Sequence, residues 1–275
     1  MAAGPLSTTA EVLAVRPVGA FAVLSLGVGE VADRCRPGQF VSVVDPDPGR
    51  LLRRSLPVHR AAGPGVRPGS VEVVLDPADP TDAALARMPV GARTQLLGPL
   101  GRPFALPKEA VPCVVVGVGQ HAGPLFGLAD RLAERGCPVH LLLGGADSSR
   151  VLPVHDLRRA SRSVTVVTDD GSMGQTGRVD DVLAELLGRT SAAVVYAGAP
   201  VPTLHAVAAV AESSGAWSQM ALPGEHPCGT GLCAGCPVPV VGEDGVARTV
   251  RACTEGPVFR GDRVRWAELA AGGGR

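Results

Sequence analysis

The sequence predicts an α/β plus all-β protein with three consecutive parts. These are an N-terminal six-stranded antiparallel β-barrel domain (1–108), a doubly wound parallel α/β domain (109–218) and a small C-terminal cysteine-loop subdomain (219–275). Three observations lead to this prediction: short β-type segments at the start, strand–helix alternation in the middle, and a group of cysteines near the end. A length of 275 residues agrees with about two domains.

In the first part, six short segments have the composition of β-strands and are separated by proline and glycine turns. The strands are predicted at 11–18, 20–28, 39–44, 56–60, 70–76 and 93–97, with turns at 37–38, 46–49, 63–65 and 68–69. Six short strands at this spacing are typical of a small barrel or a sandwich.

In the second part, continuous apolar segments alternate with segments of helical periodicity. Strands are predicted at 113–118, 139–143, 164–167 and 194–197, and helices at 124–135, 178–187 and 202–213. Gly136 and Gly188 are expected to end the first two helices. Fully apolar strands that alternate with helices predict a parallel, doubly wound sheet, which binds ligands beyond the carboxyl ends of its strands.

The composition excludes several classes of protein. Hydrophobic residues make up 45% and charged residues 19% of the chain, which is enough apolar material for a core and argues against disorder. Basic and acidic residues balance at 26 each, so the chain lacks the basic field of a nucleic-acid or membrane-surface protein. Neither a membrane helix nor a signal peptide is recognised. A cytoplasmic globular protein is expected.

Four of the seven cysteines lie close together near the C-terminus: Cys228, Cys233, Cys236 and Cys253. Their spacing is C-x4-C-x2-C followed by a distant cysteine, which is the plant-type arrangement for a [2Fe–2S] cluster. Glycines between the first three cysteines allow the loop to curl and let backbone N–H groups reach the sulfurs. Zinc or unligated thiols remain as alternatives.

The other three cysteines have no partner at ligand spacing. They are Cys35, Cys113 and Cys137. Thiols outside such a motif behave as small apolar side chains, so these are expected to fill space in the core.

Several further segments occur in a recognisable order. They are Leu-Leu-Arg-Arg at 51–54, Gly-Pro-Leu-Gly at 98–101, Thr-Asp-Asp-Gly-Ser at 168–172, Val-Tyr-Ala at 195–197 and Glu-Gly-Pro-Val-Phe at 255–259. Together with the cysteine loop, they resemble the electron-transfer subunit of class B dihydroorotate dehydrogenase, in the ferredoxin–NADP reductase superfamily. The resemblance implies that the first part is a barrel.

The resemblance also implies an electron relay in pyrimidine biosynthesis. In the family, FAD lies between the barrel and the α/β domain, NAD docks on the α/β domain, and the cluster lies near a separate FMN-containing catalytic subunit in a heterotetramer. Dihydroorotate reduces the FMN, and electrons then pass through the cluster to FAD and on to NAD⁺. A flavin is needed because clusters carry single electrons whereas nicotinamide takes two. The catalytic base belongs to the partner, so no catalytic residue is expected here.

The resemblance implies cofactor contacts at two groups of residues. The flavin side has Arg54, Ser55, Leu56, Pro57 and Gly98, and the nicotinamide side has Gly117, Gly119, Asp169 and Asp170. Carboxylates after the third apolar strand could bind ribose hydroxyls and favour NAD over NADP. Alternatively, these two aspartates cap a turn.

The chain departs from the family's motifs at several positions. Pro57 stands where the flavin motif has serine, and 81–82 (Thr-Asp) stands where the family has Gly-Thr, which places a carboxylate near the expected pyrophosphate. Val118 and His121 replace glycines of the glycine-rich turn, and Gly198 replaces a cysteine. Three other hypotheses therefore stay open: a one-electron conduit without NAD or FAD, a structural iron–sulfur subunit, or a subunit of hydrogenase or ferredoxin–NADP reductase type.

Overall fold

The computed structural model describes residues 4–62 and 69–272. The predicted turn at 63–65 and residue 68 of the next turn lie outside these described residues. Within them, no helix combines the length and the apolar character needed to cross a bilayer.

The first part is a closed antiparallel barrel, as predicted. Its strands are β1 (Leu6–Val18), β2 (Phe21–Gly27), β3 (Phe40–Val43), β4 (Arg54–Ala62), β5 (Ser70–Leu75) and β6 (Arg93–Leu100), in the order β1-β2-β5-β4-β3-β6. The short helices α1 (Glu30–Arg34) and α2 (Pro80–Ala86) lie between strands. In β5, Val71, Val73 and Leu75 are fully buried and alternate with partly exposed residues, because successive side chains of a strand point to opposite faces.

The second part is the predicted parallel sheet with helices on both faces. Its elements are β7 (Cys113–Val118), α3 (Gly123–Glu134), β8 (Val139–Gly145), β9 (Ser163–Thr168), β10 (Gln175–Thr176), α4 (Val179–Thr190), β11 (Val194–Gly198), α5 (Val201–Ser213) and β12 (Trp217–Ala221). Cys113 and Val115 of β7 belong to the apolar cluster that contains α3. Val114 and Val116 belong to the cluster that contains α4 and α5. The central strand is therefore buried on both sides.

The last part contributes a hairpin and one strand of the large sheet. Its elements are β13 (Pro237–Val241), β14 (Ala247–Arg251), α6 (Ala252–Glu255), β15 (Val258–Arg260) and α7 (Trp266–Gly272). β13 and β14 form a hairpin, and β15 pairs antiparallel with β12 at the edge of the sheet β10-β9-β8-β7-β11-β12-β15. The division proposed at 218/219 thus falls inside β12.

One predicted helix end is wrong. Helix α4 continues through Gly188 to Thr190 and ends at Ser191, whose φ of 48° is left-handed. Gly188 has no atom within 4 Å of an added Cβ, so it lies on an open helix surface. A single glycine there costs about 1 kcal/mol relative to alanine, which the packing of α4 outweighs.

The barrel and the α/β domain meet where β4 packs against α3. The Nδ1 atom of His59 donates to the carbonyl of Gly123 at 2.8 Å, and its ring packs on Phe126 with centroids 4.7 Å apart. Arg60 pairs with Asp130 at 3.1 Å. These contacts fix the second half of β4 against α3.

Candidate metal centre and nucleotide clefts

The four thiols of the predicted cluster come together from two segments of the chain. Cys228, Cys233 and Cys236 lie in the loop between β12 and β13, and Cys253 lies in α6. The Sγ atom of Cys228 accepts hydrogen bonds from the backbone N–H groups of Thr230 and Cys233, each at 3.5 Å. The loop therefore wraps around its first sulfur.

The thiols form two pairs. Cys233 lies against Cys228 and donates its backbone N–H to the Sγ atom of that residue, and Cys253 lies against Cys236. The N–H of Cys253 also donates to the Sγ atom of Cys236 at 3.4 Å. Across the described residues, no three His, Cys, Asp or Glu side chains converge as ligands of one ion. Two pairs of thiols are the donor set that a two-iron core with four cysteine ligands needs, so these residues fit the cluster.

Gly231 allows the loop to approach α6 closely. Its φ of +85° is left-handed, and an added Cβ would lie 2.9 Å from the Cγ2 atom of Thr254. Its backbone N–H contacts the sulfur of Cys253. Hydrogen bonds from backbone N–H groups to cluster sulfurs orient the ligands and adjust the redox potential.

One thiol pair faces solvent and the other faces the core. Cys233 is exposed and Cys228 is half-buried, whereas Cys236 and Cys253 are buried. Burial acts to raise the pKa of Cys228, but the N–H groups of Cys233 and Thr230 outweigh it and lower that pKa to about 6. Burial raises the pKa of the Cys253 thiol to about 12. The site thus has one accessible edge.

A cleft of about 210 Å³ lies where the barrel meets the α/β domain. The flavin-side residues Arg54, Ser55, Leu56 and Pro57 all line it, together with residues of the turn before α3 and of the loop after β12. The Ser55 hydroxyl donates to the carbonyl of His226 at 3.0 Å, two residues before the first cluster cysteine. The cleft and the metal centre therefore share a wall.

Arg54 is held by two carboxylates. Its guanidinium lies 3.2 Å from Asp82 and 2.6 Å from Glu225. Burial raises the pKa of both carboxyl groups. The Nε atom of Arg54 is buried and has no partner among the described residues. The position of the cleft therefore fits a flavin. The Nε atom of Arg54 is free to donate to a ligand, whereas its two terminal nitrogens already pair with Asp82 and Glu225.

Gly98 lies away from this cleft. It belongs to β6, and an added Cβ would lie 2.9 Å from the Cγ1 atom of Val41. The residue does not appear in the lining of the cleft. Its lack of a side chain serves the close approach of β6 and β3.

The turn between β7 and α3 needs small residues where the sequence has them. An added Cβ at Gly117 would lie 2.5 Å from the Cβ of Ala122, and Gly119 has a φ of +55°. At Gly198, an added Cβ would lie 2.3 Å from the carbonyl oxygen of His121. The imidazole of His121 lines the first cleft, and burial lowers its pKa. The turn thus meets β11 tightly and places His121 beside the cleft.

A second cleft, of about 270 Å³, lies at the carboxyl ends of the parallel strands. Asp169 lines it, and a nicotinamide nucleotide at this position stays a prediction. Asp170 does not line it; the side chain accepts hydrogen bonds from the N–H and hydroxyl of Ser172, which is the turn-capping alternative. The sequence analysis missed Arg178, which lines the cleft and pairs with Asp180 at 3.2 Å.

The structure also brings Cys113 and Cys137 together. Both thiols are buried, and their side chains are in contact. Burial raises the pKa of Cys113 to about 12, and also that of Cys35. Thiols with raised pKa values are poor nucleophiles, in agreement with their interpretation as apolar side chains.

Comparison with known proteins gives a match to the last part of the chain and further matches over most of its length. Residues 227–265 match the model of the iron–sulfur cluster binding domain of dihydroorotate dehydrogenase B. The dihydroorotate dehydrogenase B (NAD⁺) electron transfer subunit of Geobacillus thermodenitrificans is 34% identical over 251 residues, 88% of this chain and 91% of that protein. The subunit of the same name from Desulforamulus reducens is 30% identical over 240 residues, 86% of this chain and 89% of that protein.

Solved structures share the fold. An NADH-dependent reduced ferredoxin–NADP oxidoreductase, solved in a study of flavin-based electron bifurcation, superimposes with a TM-score of 0.80 at 25% identity, covering 95% of this chain and 91% of that chain. A ferredoxin–NADP⁺ reductase of Neisseria gonorrhoeae with bound FAD and NADP superimposes with a TM-score of 0.60 at 18% identity, covering 76% of this chain and 92% of that chain. The second likeness concerns the fold alone.

Proposed function

This chain belongs to the family of electron-transfer subunits of dihydroorotate dehydrogenase B, and we propose that it links an FMN-containing catalytic subunit to NAD⁺ in pyrimidine biosynthesis. The observation that carries the proposal is the pairing of four thiols beside a cleft that shares a wall with them. A [2Fe–2S] cluster supplies single-electron transfer, and FAD supplies the exchange between single electrons and a hydride.

The chain's own residues hold and connect these groups. Cys228, Cys233, Cys236 and Cys253 would bind the cluster. Arg54 and the backbone around Ser55 to Pro57 would hold FAD in the first cleft. Asp169 would face the ribose of NAD in the second cleft. Carboxylates at that position favour NAD over NADP.

The wall between the cleft and the cluster is short and rigid. His226 is buried, and its ring packs on Phe40 with centroids 4.6 Å apart. Its backbone N–H donates to the Ser55 hydroxyl at 3.2 Å, and its carbonyl accepts from the same hydroxyl. These contacts hold the start of β4 at a fixed position next to the cluster loop, as electron transfer between two neighbouring groups requires.

The accessible edge of the metal centre is the expected contact with the catalytic subunit. Leu232, which lies between Gly231 and Cys233, is 88% exposed. Burial of this apolar side chain against a partner would remove it from water, which is favourable. We place the resulting heterotetramer in the cytoplasm, since none of the seven cysteines forms a disulfide and reduced cysteines persist in a reducing compartment.

The proposal is tested on the complex purified with the catalytic subunit. Addition of dihydroorotate and NAD⁺ should form NADH with the wild-type chain. With Cys233→Ser, dihydroorotate should still bleach the FMN of the partner, but NADH formation should stop because a cluster ligand is lost. Cys35→Ser, a change of a thiol away from the cluster, is the control and should leave NADH formation unchanged. NADH formation at the wild-type rate with Cys233→Ser would contradict the relay.

A second candidate is a one-electron conduit that passes electrons from the cluster to another acceptor. The observation that favours it is that His121, a histidine in place of a glycine, lines the first cleft. In that case dihydroorotate reduces the cluster and a ferredoxin, but no NADH forms with the wild-type complex.

A further inference from the structure

The flavin cleft is more negative than a site for a dinucleotide should be. Among the residues that line it, Arg54 is the one arginine or lysine, whereas Asp79, Asp82 and Glu225 are carboxylates. The diphosphate of FAD is a dianion at neutral pH. Like charges brought together in a partly buried cleft repel strongly, because the local dielectric constant is below that of water.

The single cation of the cleft is already neutralised. Arg54 pairs with Asp82 and Glu225, and these contacts use both of its terminal nitrogens. A bound phosphate would compete for the same guanidinium donors, since charge-assisted pairs with Arg are the strong contacts of phosphate sites.

The nearby helix offers no replacement for Arg54. Pro80, the first residue of α2, has no N–H. The next N–H, of Thr81, already donates to the side chain of Asp79 at 2.8 Å. The barrel wall of the cleft therefore depends on Arg54 to attract an anion.

Of the two carboxylates, Asp82 is the one that is fixed in place. Its side chain is only 9% exposed, and its second oxygen accepts from the backbone N–H of Asp76 at 3.0 Å. The side chain of Glu225 is 53% exposed and lies in a loop, so it can turn towards solvent when a ligand enters. Asp82 cannot leave in this way.

From these contacts we propose that Asp82 sets the affinity for FAD by neutralising Arg54, so that this chain binds FAD weakly and exchanges it. This inference rests on the proposed function, because it assumes that the cleft receives a flavin. It makes Asp82 a determinant of affinity for the diphosphate rather than for the isoalloxazine ring.

The test measures flavin binding by the cluster-containing chain, through quenching of flavin fluorescence. Asp82→Asn keeps the size of the side chain and an oxygen for the Asp76 N–H, and removes the charge. It should tighten FAD binding about tenfold or more, the scale of one strong charged contact. The matched control Asp79→Asn removes a carboxylate of the same cleft that bonds to Thr81 rather than Arg54, and should tighten binding less than about threefold.

Riboflavin has no phosphate, so its affinity for the cleft depends on the fit of the ring and not on the charge of the diphosphate. Asp82→Asn should leave its affinity unchanged. The inference is overturned if the wild-type chain retains FAD through dialysis, if Asp79→Asn and Asp82→Asn tighten FAD binding equally, or if Asp82→Asn tightens riboflavin binding as much as FAD binding. Absence of FAD binding by both wild type and Asp82→Asn also overturns it. The visible spectrum of the cluster is recorded in parallel, since its loss would instead contradict the proposed function.

Discussion

The cysteine loop and the flavin cleft lie side by side, yet they encode their chemistry in different ways. In the loop, three ligands fall within nine residues (228–236), and their spacing already identifies the metal centre. In the cleft, the charges that decide ligand binding come from β4, α2 and the loop after β12. A local motif can therefore be recognised from the sequence, whereas the balance of charge in a cleft between domains needs the fold.

The largest expected effect tests the loop side of this comparison. Cys253→Ser removes the ligand that comes from outside the loop and should abolish the visible absorption of the cluster, because metal binding and local folding are coupled. Cys137→Ser, also a buried thiol, is the control and should keep the spectrum, with some loss of stability. A wild-type spectrum in Cys253→Ser would show that the fourth ligand has been assigned wrongly.

A glycine of the loop gives a smaller effect that separates backbone strain from ligand loss. Gly231→Ala should destabilise the cluster by about 1–2 kcal/mol, because the left-handed backbone is strained for alanine and its Cβ would meet Thr254. Gly245→Ala, at a φ of +76° with no atom near an added Cβ, carries the same strain in the hairpin turn. On heating, Gly245→Ala should lose its cluster no faster than the wild type does. Equal rates of cluster loss in Gly231→Ala and Gly245→Ala would contradict a special role of Gly231.

The exposed edge of the loop predicts a change in association. Leu232→Asp should weaken binding to the catalytic subunit about tenfold, since a charge replaces an apolar contact at the interface. Val246→Asp, an exposed apolar residue at the hairpin turn, should leave the affinity unchanged. Binding is measured by calorimetry with the isolated catalytic subunit. Equal affinity for Leu232→Asp and the wild type would place the interface elsewhere.

The smallest effect concerns the contact between β4 and α3 and depends on pH. Burial holds the pKa of His59 below its ordinary value of 6.5. The folded chain therefore binds fewer protons than the unfolded chain in mild acid. The contribution of neutral His59 to stability is complete above about pH 6.5 and is lost progressively as the pH falls through its lowered value.

Chemical unfolding of variants between about pH 7 and pH 5 checks this sign. His59→Gln can still donate to the Gly123 carbonyl, and its free energy of unfolding should fall less steeply with decreasing pH than that of the wild type. His155→Gln, at a side chain that is 77% exposed, should keep the wild-type slope. A steeper decrease of the free energy of unfolding with falling pH in His59→Gln than in the wild type would contradict the lowered pKa of His59.

Most of the fold followed from periodicity, and the failures have physical causes. Strand β12 was missed because its buried positions include Ser218 and Gln219, which no hydrophobic pattern identifies. The fold satisfies Gln219 through the backbone of Ala105, which donates to its Oε1 at 2.8 Å and accepts from its Nε2 at 2.7 Å. Polar residues paired in this way can occupy a central position of a buried sheet.

The two sites also differ in how much of each could be predicted from local sequence patterns. Spacing alone predicted four candidate cluster ligands, and the structure brings these thiols together in two pairs. The pairing of Arg54 with Asp82 and Glu225 joins residues 28 and 171 positions apart, so no local pattern could show it. Arg178 was missed for the same reason, because only the fold brings it to the cleft that contains Asp169.

The most direct test of the account is the iron and acid-labile sulfide content of the chain after anaerobic purification. The paired thiols predict about two irons and two sulfides per chain. One zinc per chain with no sulfide would contradict both the metal centre and the electron transfer that depends on it.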